Sequence, residues 1–205
     1  TRPNSLLSGG PRGRMERVSE ADLDWTDTDR DDARFRRKRL AAAAGGGDIG
    51  CSLYELPPGG ADWPYHYHEG NAEAVYVLAG AGAIRGPDGE EPLAAGDYVA
   101  LPAGEDGAHR VYNDGDEPLR YLMVSTMEDP GVTVYPDSGN FGVYVGSPPG
   151  GRDSRSLHGY YAIDDGVDYW EDVASGDGPD ADADSGPDPD SDTGSEPDAD
   201  SGTVE

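Results

Sequence analysis

His66, His68, Glu73 and His109 are the residues of this chain whose types and spacing could do chemistry together. The chain holds four histidines in all, and two of them lie one residue apart in "PYHYHEG". Alternate side chains of a strand share a face, so His66 and His68 point the same way. Glu73 heads the run "EAVYVL", where Val75 and Val77 are its face-mates. A glutamate leading an apolar inward row is costly unless it binds a cation or is neutralised. His109 begins a further run, with Val111 and Asn113 on its face. If these faces meet in an interior, three imidazoles and a carboxylate form an N₃O set with up to two open positions. Such a set suits Fe²⁺, Mn²⁺, Ni²⁺ or Zn²⁺ without choosing among them. Open positions allow Lewis-acid activation of a substrate or water, or dioxygen chemistry if the ion is iron. A plainer reading, polar surface groups beside a loop, also fits the first three residues; the downstream His109 favours the metal.

The elements that must position this set are short strands. From Ile49 onward period-two runs alternate with turn-forming residues: "CSLYEL" (51–56), "EAVYVL" (73–78), "GAIRG" (82–86), "DYVALP" (97–102), "HRVYN" (109–113) and "LRYLMVST" (119–126). Between them lie "PPGG", "GPDGEE", "AAGD", "AGEDGA" and "NDGDEP". Closely spaced short strands without a convincing helix predict an all-β sandwich or barrel. Weaker strand signals follow in "VTVYP" and "FGVYVG", then the aromatic-rich "YYAIDDGVDYW", which reads as a strap packed back on the barrel.

With the strands in place, the chain resembles the cupin superfamily. The first cupin motif is matched by Gly60, His66, His68, Glu73 and Gly80, every interval included, and the second by Gly96, Pro102, Gly104, His109 and Asn113. One departure stands in the second motif: four residues rather than two separate Gly104 from His109. That longer gap is usual in a group of small single-domain prokaryotic cupins, which "CSLYELPPG", "LPAGEDGAH", "GDEPLRYLMVSTM", "YPDSGNFGVYVGSPPGG" and "VDYW" also resemble. The resemblance implies a double-stranded β-helix (jelly-roll) barrel. It also implies His66, His68, Glu73 and His109 as ligands of a divalent metal, a small-molecule ligand, and a homodimer. It supplies no substrate, because cupins include dioxygenases, isomerases, decarboxylases and non-enzymatic binders. An enzyme and a non-catalytic binding or sensor module therefore both stay open.

Composition narrows the partners. Aspartate and glutamate number 42 against 15 lysines and arginines, a net charge of −27. Bulk electrostatics of that sign exclude nucleic acid and anionic membranes as partners. Abundant Asp, scarce Lys and modest aliphatic content are expected of a cytosolic protein from a high-salt, haloarchaeal cell, where salt screens the mutual repulsion. The lone cysteine, Cys51, excludes an intramolecular disulfide. No run of about twenty apolar residues is present, and "RRKRLAAAAGGG" (36–47) lacks the apolar core of an export signal. A cytoplasmic protein is expected.

The pattern divides the chain into a disordered extension (1–14), an N-terminal arm (15–47), the barrel (48–127), the strap (128–170) and a disordered acidic tail (171–205). Within the arm, "RFRRKRL" reads as a strand or arm segment whose arginines pair with nearby carboxylates rather than as a nucleic-acid patch. In the tail "DADADSG" (180–186) fails the EF-hand pattern, with Ser185 and Ser191 where glycine and glutamate are needed. Among further candidates, Tyr67, Tyr76, Tyr98 and Tyr112 read as strand packing, any that lines a pocket being a candidate acid or hydrogen-bond donor. Cys51 has no neighbouring base to activate it. Asn113 reads as closing its turn, His158 as a strap residue, and Arg85 and Arg120 as outer-face residues.

Overall fold

Alternation along the chain becomes burial in three dimensions. The computed structural model describes residues 15–148, 155–168 and 170, and among them thirteen strands carry the fold. The residues assigned to the 1–14 extension, the tail beyond 170 and its "DADADSG" segment lie outside the described residues. The chain divides into two units, Thr1–Gly166 and Val167–Glu205; all thirteen strands belong to the first.

Strands β1 (Thr26–Arg30) and β2 (Ala33–Arg39) form a hairpin that sets Asp27 opposite Arg36 and Asp29 opposite Arg34. The basic cluster is thus a strand, and Arg36 also meets Glu55 at 2.6 Å. A four-residue helix (Leu40–Ala43) leads to β3 (Ile49–Leu56). There follow β4 (Tyr67–His68), β5 (Glu73–Ala79), β6 (Ala81–Gly86), β7 (Gly89–Ala94), β8 (Tyr98–Leu101) and β9 (Arg110–Tyr112). The last four are β10 (Leu119–Thr126), β11 (Gly131–Tyr135), β12 (Asn140–Val145) and β13 (Leu157–Ala162). They make three antiparallel sheets, in the orders β1-β2-β3-β10-β5-β8, β13-β12-β11-β4 and β7-β6-β9. The result is the expected all-β jelly-roll barrel.

Its core is built from inward alternates. Val75 and Val77 of β5, Leu119, Tyr121 and Met123 of β10, Tyr54 and Leu56 of β3, Phe35 of β2 and Val111 of β9 pack together. Fully burying each such side chain contributes about 1.5–3 kcal/mol. Glu73 heads the Val75–Val77 row and is nearly buried with it. Gly80, at φ +80°, lets the chain turn from β5 into β6 where a Cβ would strike the Pro118 carbonyl.

Three strands escape the sequence pattern, among them β1, an edge strand of Thr, Asp and Arg with no apolar residue. β7 reads as turn because it is polar and contains Pro92; it pairs only with β6, so it is an edge strand, where proline is tolerated. β13 is also an edge strand, and its exposed Tyr160 and Tyr161 hide the alternation. Segment 128–170 supplies β11, β12 and β13, and through β11 it pairs directly with the histidine strand β4. Among the described residues no helix is long and apolar enough to cross a membrane.

Candidate metal centre

Sheet register brings the four residues together. His68 stands in β4 opposite Thr133 of β11, and Glu73 begins β5 between Ser125 of β10 and Leu101 of β8. His66 and His109 form an isolated antiparallel bridge: the His66 amide donates to the His109 carbonyl at 3.1 Å, and the His109 amide returns the bond at 2.8 Å. All three imidazoles are buried.

The contacts of each ring decide which nitrogen is free. His66 Nδ1 lies 2.8 Å from the Pro64 carbonyl oxygen and His109 Nδ1 2.9 Å from that of Gly107. A carbonyl only accepts, so in both rings Nδ1 carries the proton and Nε2 holds a bare lone pair. His68 Nδ1 is held by the Thr133 hydroxyl at 2.9 Å. The Nε2 atoms of His68 and His109 lie 3.2 and 3.4 Å from one Glu73 oxygen, Oε2. One donor atom each from His66, His68 and Glu73 falls within 4.8 Å of the others. His109 joins this group through Glu73 and through its ring, whose centroid is 4.7 Å from that of His66. Its Nε2 is buried without a hydrogen bond among the described residues.

Lone pairs converging on a carboxylate repel one another unless a cation or protons intervene. Protons are disfavoured on His66, His109 and Glu73. Burial, with the like charges of His109 and His68 adding to it, brings His66 down to about 3. Burial also lowers His109, although Glu73 opposes it. Burial pushes the Glu73 carboxyl up, but the adjoining His68 and the other imidazoles outweigh it and leave Glu73 at about 2. His66, His109 and Glu73 are therefore acceptors suited to a divalent cation, and each of the three rings is oriented by a second contact, as metal-binding histidines generally are. The 3₁₀ turn Glu105–Gly107 presents one of those contacts, and Gly107 is required there because a Cβ would run into the Pro102 carbonyl. Thr133→Val keeps the shape and removes the His68 contact. It is expected to weaken divalent-metal affinity about tenfold with little change in far-UV circular dichroism; an unchanged metal titration would contradict that role.

The four residues line a cavity of about 220 Å³. Its other walls include Tyr54, Trp63, Tyr135, Tyr144, Tyr160, Arg37 and Arg155. None of Tyr67, Tyr76, Tyr98 and Tyr112 lines it among the described residues; Tyr76 and Tyr98 are exposed on the outer sheet face. The tyrosines of the cavity are others. Tyr135 stacks over His66 at 5.9 Å, and its hydroxyl meets that of Tyr144 at 3.4 Å. The Tyr144 hydroxyl donates to that of Tyr160 at 3.2 Å. Burial raises both Tyr135 and Tyr144, so these phenols keep their protons. Cys51 also lines the cavity, and burial pushes its thiol up, away from thiolate chemistry.

The remaining candidates sit elsewhere. Arg85 is paired with Asp137 at 2.7 Å and Arg120 with Glu20 at 3.0 Å. His158 is exposed and stacks on Tyr144. Asn113 is buried and closes its turn, donating to Leu56 and Glu117 carbonyls while accepting from the Gly115 amide, all at 2.9 Å. A buried residue that no spacing signals is Asp62: it accepts the Tyr121 hydroxyl at 2.7 Å and the Val111 amide at 3.0 Å.

Comparison with known proteins agrees with this geometry. A family model described as "Cupin domain" matches residues 52–125. The oxalate-binding protein of Thermotoga maritima is 36% identical over 70 residues, which are 34% of this chain. The match spans 55% of that protein, so this chain covers about half the length of its curated relative. A solved structure from Acidithiobacillus ferrooxidans, provisionally assigned as a sugar phosphate isomerase, is 30% identical with a TM-score of 0.56, covering 66% of this chain and 80% of that one. A sugar phosphate isomerase structure of the cupin superfamily from Silicibacter pomeroyi has a TM-score of 0.63 at 24% identity, covering 73% of this chain and 94% of that one, and supports the fold alone.

Proposed function

The chain belongs to the cupin superfamily, and from that premise we propose that it holds one divalent metal ion on His66, His68, Glu73 and His109 and binds a small polar molecule beside it. One observation carries the reading. The Nδ1 atoms of all three imidazoles are occupied, and the buried Nε2 of His109 lies 3.4 Å from the Glu73 carboxylate with no hydrogen bond among the described residues.

A bound Fe²⁺, Mn²⁺, Ni²⁺ or Zn²⁺ ion supplies Lewis-acid polarisation of a ligand oxygen. The protein's own residues do the rest. Glu73 contributes the single negative charge of the set, and the Pro64, Gly107 and Thr133 contacts hold the rings to one orientation. Tyr135, Tyr144 and Tyr160 present hydroxyls to the ligand, while the cavity excludes bulky molecules. At about 220 Å³ it falls below the roughly 300–1,000 Å³ of drug-sized sites. The relatives named for oxalate binding and sugar phosphate isomerisation suggest a small oxygen-rich ligand.

A second reading, a binding or sensor module without turnover, is favoured by a specific feature of the cavity wall. Once the four proposed ligands are set aside, the titratable lining groups are two arginines, four tyrosines and one thiol, with Tyr54, Tyr135, Tyr144 and Cys51 all raised by burial. None of these is a general base near neutral pH. The test is to load the protein at high KCl with each of the four ions, dialyse, and count metal per chain. Oxygen uptake with the iron form and aldose–ketose phosphate interconversion with the others are then measured. About one ion per chain with either turnover supports an enzyme, and one ion without turnover supports the binding module. Retention of none of the four ions contradicts both.

A further inference from the structure

Among the described residues, two arginines in the cavity wall lack the partners that this chain supplies in excess. With 42 acidic residues against 15 basic ones, an arginine can readily find a carboxylate, and many here do. Arg36 pairs with Glu55, Arg85 with Asp137, Arg110 with Asp32 and Arg120 with Glu20. Arg37 and Arg155 both line the cavity, are half-buried, and make no ion pair with any described carboxylate.

Their placement is specific. On β2 the residues Ala33 and Phe35 face the core, and Arg37 continues the same inward row. Its guanidinium lies 5.1 Å from the Trp63 ring centroid and makes one long hydrogen bond, 3.4 Å, to the Tyr54 hydroxyl. Arg155 lies 4.8 Å from the Tyr144 ring centroid and donates to the Ser147 and Pro148 carbonyls at 2.7 and 3.2 Å. A guanidinium has five N–H donors, so both keep donors to spare. Aromatic faces hold them in place and leave edges free, the geometry that suits a carboxylate or phosphoryl group. A chain of net charge −27 repels anions at long range, so taking up an anion requires positive charge concentrated in a low-dielectric cleft.

We propose that Arg37 and Arg155 form an anion clamp in this cavity, holding the carboxylate or phosphoryl end of the ligand while its other oxygens face the imidazole–carboxylate cluster. The clamp rests on the reading of the cavity as a small-ligand site, and it stands apart from the metal. The ligand class is thus a small, oxygen-rich anion.

Calorimetric titrations with oxalate and with inorganic phosphate test the clamp, each run on EDTA-treated and on Mn²⁺-loaded full-length protein at fixed KCl. Wild type is expected to bind at least one of the two in both states, and whichever binds more tightly identifies a carboxylate or a phosphoryl end. Arg37→Gln and Arg155→Gln are each expected to weaken that binding about tenfold or more without changing metal retention. Arg37→Lys, which keeps the charge, recovers part of the affinity, and Arg85→Gln, outside the cavity, leaves it unchanged. Because Arg155 lies two residues before the edge strand β13, its variant provides a folded test even if Arg37→Gln disturbs the hairpin. Arginine-dependent anion binding by a protein that retains no metal would support the clamp while removing the metal reading. Failure of wild type to bind either anion, or unchanged affinity in both glutamine variants, overturns the clamp whatever the metal content.

Discussion

Glu73→Gln is expected to empty the metal site while the barrel stays folded. Glutamine matches the carboxylate in shape but removes the single negative charge facing the imidazoles of His68 and His109. Changes to groups that merely orient metal ligands cost about 10–100-fold in affinity, so loss of a charged ligand should exceed about a hundredfold. Folding is expected to survive, because the amide fits among His68, His109 and Leu101 without a new buried charge. The readout is linked to stability: an ion at a hundred times its dissociation constant stabilises the folded state by about 2.7 kcal/mol. Wild type should gain a melting-temperature rise of that size on adding metal, and Glu73→Gln should gain almost none. Equal metal-induced stabilisation in the two proteins would show that Glu73 is not a ligand.

Asp62→Ala is expected to cost about 3 kcal/mol of stability, and Asp62→Asn much less. Alanine orphans two buried donors, the Val111 amide and the Tyr121 hydroxyl, and each orphan costs about 1–3 kcal/mol. Asparagine keeps one acceptor and adds one donor, as a protonated carboxyl does. Titration separates the two states further. Burial raises Asp62 to about 7, partly offset by the Tyr121 and Val111 hydrogen bonds. In the unfolded chain an aspartate ionises near about 4. Its contribution is therefore fully present below about pH 4 and is lost as pH rises through about 7. His66 has the opposite sign: its folded value is about 3 against about 6.5 unfolded. Its contribution is present above about 6.5 and lost as pH falls. Between about pH 4 and 6.5 the two slopes oppose each other, each about 1.4 kcal/mol per pH unit. Chemical denaturation of metal-free Asp62→Asn should therefore show stability falling more steeply on acidification than wild type, by about that slope. Parallel pH profiles would contradict the buried, protonated Asp62.

The strands and the candidate metal set were legible for different reasons. Alternation revealed β5 and β10 because these strands bury one face, so period two shows in residue type. It missed β1, β7 and β13, sheet edges where polar, proline and exposed aromatic residues obey no such period. His66, His68, Glu73 and His109 stood out because imidazoles are scarce and their spacing is tied to strand geometry. Thr133, Arg37, Arg155 and the cavity tyrosines carried no such mark. Thr133 meets His68 across 65 residues of sequence, through a register that only the folded β4–β11 pair defines. Arg37 was concealed in a basic run, where the alternation of Ala33, Phe35 and Arg37 toward the core is masked by charged neighbours. Asp62 meets Tyr121 across 59 residues and belongs to no recognisable spacing.

The central claim, that these four residues hold one divalent ion, is tested most directly by anomalous X-ray scattering from crystals of the metal-loaded protein. The account predicts a single strong anomalous peak bonded to Nε2 of His66, His68 and His109 and to a carboxylate oxygen of Glu73, at about 2.0–2.2 Å for zinc. A peak elsewhere in the molecule, or an empty cluster in a crystal grown with excess metal, would contradict it.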